Sequence, residues 1–93
     1  MDCNGYKYSK HAILRMAERN IFPSDVKFCL SKGEIIAEYP SAKPYPALLL
    51  LVYLDNIPLH VCASKDEFGS CVIITDYIPN ELEWEANFKI KKS

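Results

Sequence analysis

Ninety-three residues, 49% of them hydrophobic and 25% charged, are enough for one domain and leave no room for a second. A net charge of −1 and 12% aromatic residues exclude a disordered chain and weigh against a general nucleic-acid coat protein, which is normally basic. The charge is uneven, however: residues 1–32 carry six Lys/Arg against three Asp/Glu, and residues 33–93 five against nine, so the N-terminal third can form a local cationic patch.

Residues 1–8 read as a lead-in that adds at most a short extended piece. From Ser9 to Asn20, Ala12, Ile13, Met16 and Ala17 recur at three- and four-residue spacing, which predicts a helix with Ser9 as its N-cap. Asn20-Ile21-Phe22-Pro23 ends it, and Pro23 suits the first turn of a second helix that runs to about Lys32. Val26, Cys29 and Leu30 form its buried face, and Gly33 stops it as a C′ residue.

Everything after Gly33 reads as strands. Glu34–Tyr39 is the first, followed by a loop holding Pro40, Ser41, Pro44 and Pro46. Ala47–Leu54 is apolar on both faces, which places it centrally in a sheet covered on both sides. Asp55-Asn56 is a turn, Ile57–Ala63 a strand, Lys65–Ser70 a second turn and Cys71–Ile78 the last strand, closed by Pro79-Asn80. Strands joined by turns this short are antiparallel. The tail, Glu81–Ser93, has weak helical spacing (Leu82, Glu85, Ala86, Phe88) around Trp84. The expected fold class is therefore α+β: two N-terminal helices packed on a four-stranded antiparallel sheet, with a short C-terminal helix.

Cys3, Cys29, Cys62 and Cys71 form no CxxC pair and no Cys/His ligand cluster, which weighs against a structural zinc site. The N-terminus is polar and lacks the apolar segment of a secretory signal, so reduced thiols in a cytoplasm are the expectation. The longest apolar run, Ala47–Leu54, is too short for a membrane-spanning helix. No Gly-rich phosphate loop, Walker lysine or nucleophile motif is present, and no cofactor is expected.

The most informative stretch is Ser9–Arg19. On a helix, His11, Arg15 and Arg19 fall at i, i+4 and i+8 and drift by only about 40° per step, so they form one stripe. Guanidinium forks grip phosphate, and an imidazole moves a proton near neutral pH. The same spacing occurs on any solvated helix face, and Glu18 is placed to neutralise Arg15 or Arg19. His60 lies on the strand face opposite Leu59 and Val61, either toward a functional surface or as a satisfied core histidine under the helices. Thr75 and Tyr77 share a face of the last strand, where a hydroxyl and a phenol can orient a phosphate, stack on a base, or simply pack. The register across Lys65–Ser70 decides whether His60 shares that face. Trp84 and Phe88 read as the seal of a sheet edge, and Lys89, Lys91 and Lys92 as a solvated tail.

In order and spacing, several stretches resemble DUF4258, a prokaryotic family of unknown function. They are Ser9-Lys10-His11-Ala12 leading to Arg15-Met16 and Arg19, then Ile21, Asp25-Val26 and Gly33-Glu34. Pro58-Leu59-His60-Val61 and Ile74-Thr75 with Tyr77, Pro79 and Trp84 complete the pattern, so that the resemblance spans about residues 9–88. Two positions depart from it. Phe22 stands where a capping Ser or Thr is usual, which should weaken the second helix's start, and Asp76 stands where an apolar residue is usual, which implies a more polar strand face.

The resemblance implies a fold like the RelE/MqsR-type toxins. It also implies the activity of a metal-independent endoribonuclease toxin of a type II toxin–antitoxin pair, acting on RNA by general acid–base catalysis. His11 or His60 would be acid or base, Arg15 and Arg19 would hold the scissile phosphate, and Tyr77 and Thr75 would line the site. Lys10 and Trp84 would add substrate contacts, and a small zinc-finger antitoxin of the MqsA kind would be the partner. The alternative is a non-catalytic protein-binding module, favoured by the acidic C-terminal two-thirds and Asp76. A third reading, an oligomerising domain such as a homodimer, follows from the apolar Leu48–Val52 run and exposed sheet edges.

Overall fold

A computed structural model describes residues 1–93. The elements run β1 (Tyr6–Tyr8), α1 (Lys10–Arg19), α2 (Pro23–Lys32), β2 (Glu34–Tyr39), β3 (Ala47–Leu54), β4 (Ile57–Lys65) and β5 (Cys71–Tyr77). The α+β class and the two helices agree with the sequence reading, but the sheet has five strands in the order β1-β5-β4-β3-β2. β1 pairs with β5 in parallel and the remaining pairs are antiparallel, so the four-stranded antiparallel expectation is corrected to a mixed sheet. Three residues, Tyr6-Lys7-Tyr8, are too few to show an alternation. Their pairing is made by partners more than sixty positions away, among them Cys71 N–H donating to the Gly5 carbonyl.

That pairing also corrects the expectation of four reduced thiols. It brings Cys3 beside Cys71, with Cα atoms 5.3 Å apart, and the two form a disulfide; Cys29 and Cys62 remain free thiols. No helix is long and apolar enough to cross a membrane.

Both helices begin and end for local reasons. The Ser9 hydroxyl accepts a hydrogen bond from Ala12 N–H at 3.0 Å, as its N-cap role requires. α1 ends at Asn20, which takes the left-handed conformation at φ 54° and donates its N–H to the Met16 carbonyl. Phe22 has no side-chain oxygen to cap α2, and the Asp25 carboxylate partly compensates by accepting from Phe22 N–H at 2.9 Å. Gly33 is extended (φ −71°, ψ 160°) rather than left-handed. Glycine is required there by space, because a Cβ would collide with the Cys29 carbonyl and stand 3.0 Å from the Leu51 carbonyl.

Register divides the sheet into two faces, since directly opposed residues project the same way. Leu50, Val61 and Asp76 form one row facing the helices, and Leu48, Ala63 and Ile73 another. Against them α1 supplies Ala12 and Met16, and α2 supplies Val26, Cys29 and Leu30, all buried. On the opposite face Leu51, His60 and Tyr77 form a row, and Leu49, Cys62 and Thr75 the next. β4 is the middle strand; β3 lies between it and the β2 edge, and its Leu49, Leu50 and Leu51 are buried on both faces as expected. Asp55 and Asn56 both have positive φ, which matches the twist of a two-residue hairpin.

The tail does not form the expected helix. Residues 79–93 fold into turns closed by a single bridge between Trp84 and Lys91. Asn80 starts it, its side-chain oxygen accepting from Leu82 and Glu83 N–H groups, and the segment lies over the face of the sheet that the helices leave open.

Candidate functional site

Ser9 ties α1 to β5. Besides capping the helix, its hydroxyl donates to the Ile74 carbonyl at 2.7 Å and its N–H to the Ile73 carbonyl at 3.0 Å. Ile74 is the residue displaced by a bulge between Ile73/Ala63 and Thr75/Cys62, and the bulge lies where β1 stops pairing. With Ala12 and Met16 buried against the sheet, the i, i+4 spacing carries His11, Arg15 and Arg19 to the part of β5 that β1 leaves uncovered.

The result is a cleft of about 390 Å³. One wall is His11, Arg15 and Arg19; the floor is Thr75, Tyr77, Ile78 and Pro79; the far wall is Asn80, Glu83, Trp84 and Lys91 from the tail. Arg15, Arg19 and Lys91 are opposed by the single carboxylate of Glu83, so the cleft is cationic. Arg15 meets Glu18 at 3.4 Å, but both groups are solvent-exposed, and such pairs contribute only about 0–1 kcal/mol. Arg19 and Lys91 make no ion pair at all, and the guanidinium and ammonium groups are available to an anion.

Six of the eight residues singled out from the sequence line this cleft: His11, Arg15, Arg19, Thr75, Tyr77 and Trp84. Lys10 is exposed on α1 but does not line it. His60 is fully buried, and it lies beneath the tail rather than beneath the helices. Its Nε2 is 2.7 Å from the Phe88 carbonyl and its Nδ1 is 3.2 Å from the Tyr77 hydroxyl. Trp84 packs edge-on at 4.5 Å between ring centroids. Burial lowers the His60 pKa, and the Phe88 carbonyl only partly opposes this. A neutral, enclosed imidazole reaches a ligand only through Tyr77, whose own pKa burial pushes up to about 12. His11 is the histidine exposed in the cleft.

Asp76, between Thr75 and Tyr77, projects into the helix-facing core rather than onto a polar face. It is fully buried, neither carboxylate oxygen has a hydrogen-bond partner, and burial pushes its pKa up to about 6. No three His, Cys, Asp or Glu side chains are placed to share a metal ion. Sequence reasoning missed Asn80, Glu83 and Lys91, which the irregular tail brings to the cleft without any periodic signal.

The family model described as "Domain of unknown function (DUF4258)" matches residues 8–78. That stretch holds the helical stripe, His60 and the floor of the cleft as far as Ile78, while Trp84 and the remaining tail wall lie beyond it. No curated protein and no solved structure matches the chain.

Proposed function

We propose, for a chain that belongs to the DUF4258 family, that the cationic cleft binds single-stranded RNA and cleaves it without a metal ion, as a toxin of the RelE/MqsR kind would. The observation that carries this reading is the convergence of His11, Arg15 and Arg19 from one helical stripe with Thr75 and Tyr77 from the uncovered part of β5. A volume of about 390 Å³ suits a nucleotide unit rather than a duplex, within the roughly 300–1,000 Å³ of small-ligand sites.

Arg15 and Arg19 hold the non-bridging oxygens of the scissile phosphate and offset the charge that grows on them as the 2′ oxygen attacks. His11 takes the 2′-hydroxyl proton as that oxygen bonds to phosphorus. The bond to the 5′ oxygen breaks, leaving a 2′,3′-cyclic phosphate, and the departing oxygen takes a proton from solvent. Tyr77 and Thr75 line the floor beside the sugar.

The test is cleavage of mixed-sequence RNA in EDTA by the purified protein and by His11→Ala and Arg19→Ala variants. Loss of a general base costs about 10²–10⁴-fold in rate. The expected result is metal-independent cutting that falls by at least about 10² in His11→Ala. Intact RNA after incubation with folded wild-type protein, with and without ribosomes, rejects the activity.

A second reading, a non-catalytic module that holds a protein partner such as a small zinc-finger antitoxin, rests on a different surface. Ile13, Leu14 and Phe22 are 55%, 62% and 63% exposed, and an apolar hollow lies among Tyr8, Ile13, Met16 and Pro23. A stoichiometric protein complex without RNA cleavage would favour it.

A further inference from the structure

We propose that His60 is a positioning residue that makes Tyr77 a hydrogen-bond acceptor toward the cleft, and that Tyr77 thereby selects a ribose 2′-hydroxyl, so that the site distinguishes RNA from DNA. This rests on the RNA reading above and deepens it by naming the sugar.

A backbone carbonyl accepts hydrogen bonds and never donates them. The Phe88 carbonyl lies 2.7 Å from His60 Nε2, so Nε2 carries a proton. His60 is fully enclosed, and burial disfavours the imidazolium, which leaves Nδ1 with a lone pair. The Tyr77 hydroxyl, 3.2 Å from Nδ1, is then the donor of that contact. The ring is held in this orientation by Trp84, edge-on at 4.5 Å and 86°, and by Tyr77 itself at 5.2 Å and 70°.

A phenol has one proton and two lone pairs. With its proton committed inward, the Tyr77 oxygen has only lone pairs left for a ligand in the cleft. The ligand group that meets it must therefore be a donor. Beside a phosphate held by Arg15 and Arg19, the backbone donor left for Tyr77 is the 2′-hydroxyl of the nucleotide on the 3′ side, not the attacking hydroxyl whose proton His11 takes, and deoxyribose lacks it. The chain of command runs from the tail carbonyl through His60 to the phenol, and each link is set by which atom can carry a proton.

One labelled oligonucleotide sequence, prepared as RNA, as 2′-fluoro-RNA and as DNA, tests this by equilibrium binding in EDTA to a His11→Ala protein. The 2′-fluoro strand keeps a small electronegative substituent but cannot donate. Expected is about tenfold tighter binding of RNA than of either analogue, the size of one ordinary hydrogen bond. Adding Tyr77→Phe should erase that preference. A preference that survives Tyr77→Phe, or equal binding of all three strands before it, overturns the inference and leaves the RNA reading standing. Failure of every strand to bind overturns both. Independently of any ligand, nitrogen NMR of the wild-type imidazole should show a neutral His60 protonated at Nε2, with the Nδ1 resonance moving in Tyr77→Phe. An imidazolium or an Nδ1–H tautomer at neutral pH overturns the inference.

Discussion

On the helix-covered face of the sheet, Asp76 is fully buried with neither carboxylate oxygen hydrogen-bonded, whereas on the tail-covered face His60 is equally buried with both ring nitrogens engaged. The contrast extends to Tyr8, whose register partner Ile73 faces the helices and whose hydroxyl is the other buried side-chain group without a partner. Helices spend their backbone groups on themselves and present apolar side chains, so they have nothing to offer a polar atom beneath them. The irregular tail leaves carbonyls unspent, and Phe88, at φ 57°, turns one onto His60. What covers a buried ionisable group therefore matters as much as how deeply it is covered.

The largest effect is expected from removing the cover over His60. Trp84 is 9% exposed and packs on His60, although the tail around it holds no regular element. Trp84→Ala should destabilise the protein by about 3–5 kcal/mol, the range for truncating a large buried aromatic. Denaturant unfolding at pH 7 measures it. A loss under about 1 kcal/mol would mean that the tail adds no core of its own.

What the sequence makes legible follows the same division. The helices, their Ser9 cap, the Asp55-Asn56 hairpin and the strands from Glu34 onward lie in local patterns that periodicity and turn chemistry expose. Most of the cleft was legible for the same reason, since His11, Arg15 and Arg19 need only helical spacing to align and Thr75 and Tyr77 only alternation. β1 and the Cys3–Cys71 disulfide depend on partners more than sixty residues away, which no local pattern encodes. The shared face of His60 and Tyr77 depends on the bulge at Cys62/Ala63, because one extra residue reverses which side a strand presents. The tail's fit to His60 is specified by one carbonyl and one indole, not by a repeating pattern.

On the helix-covered face the unpartnered charge itself can be removed. Asp76 rises from an ordinary 3.8 to about 6 in the folded protein, so the folded state holds a proton that the unfolded state has released. Stability is therefore lost as pH rises from about 4 to 6 and stays lost above that. At about 1.36 kcal/mol per pKa unit the ionised carboxylate costs about 3 kcal/mol at pH 7. Asp76→Asn, nearly isosteric with the protonated acid, should stabilise the protein by about that amount at pH 7 and by almost nothing at pH 4. Unfolding curves at the two pH values decide it. An equal effect at both would show that Asp76 does not titrate in this window.

His60 gives the smallest expected effect and the opposite slope. Its folded pKa lies below the ordinary 6.5, so as pH falls through 6.5 the unfolded chain takes up a proton that the folded protein refuses, and stability drops. His60→Leu removes that liability but leaves the Tyr77 hydroxyl and the Phe88 carbonyl without partners. At pH 7 the second effect dominates, and the variant should be about 2 kcal/mol less stable, within the roughly 1–3 kcal/mol of an orphaned buried polar group. Near pH 5.5 the gap should narrow, because only the wild type then bears the cost of excluding the proton. In an Asp76→Asn background the narrowing between pH 7 and 5.5 can be read without the opposing Asp76 carboxylate. A gap that widens toward acid would mean that His60 gains a proton on folding, and the two faces would then no longer differ in the way their partners dictate.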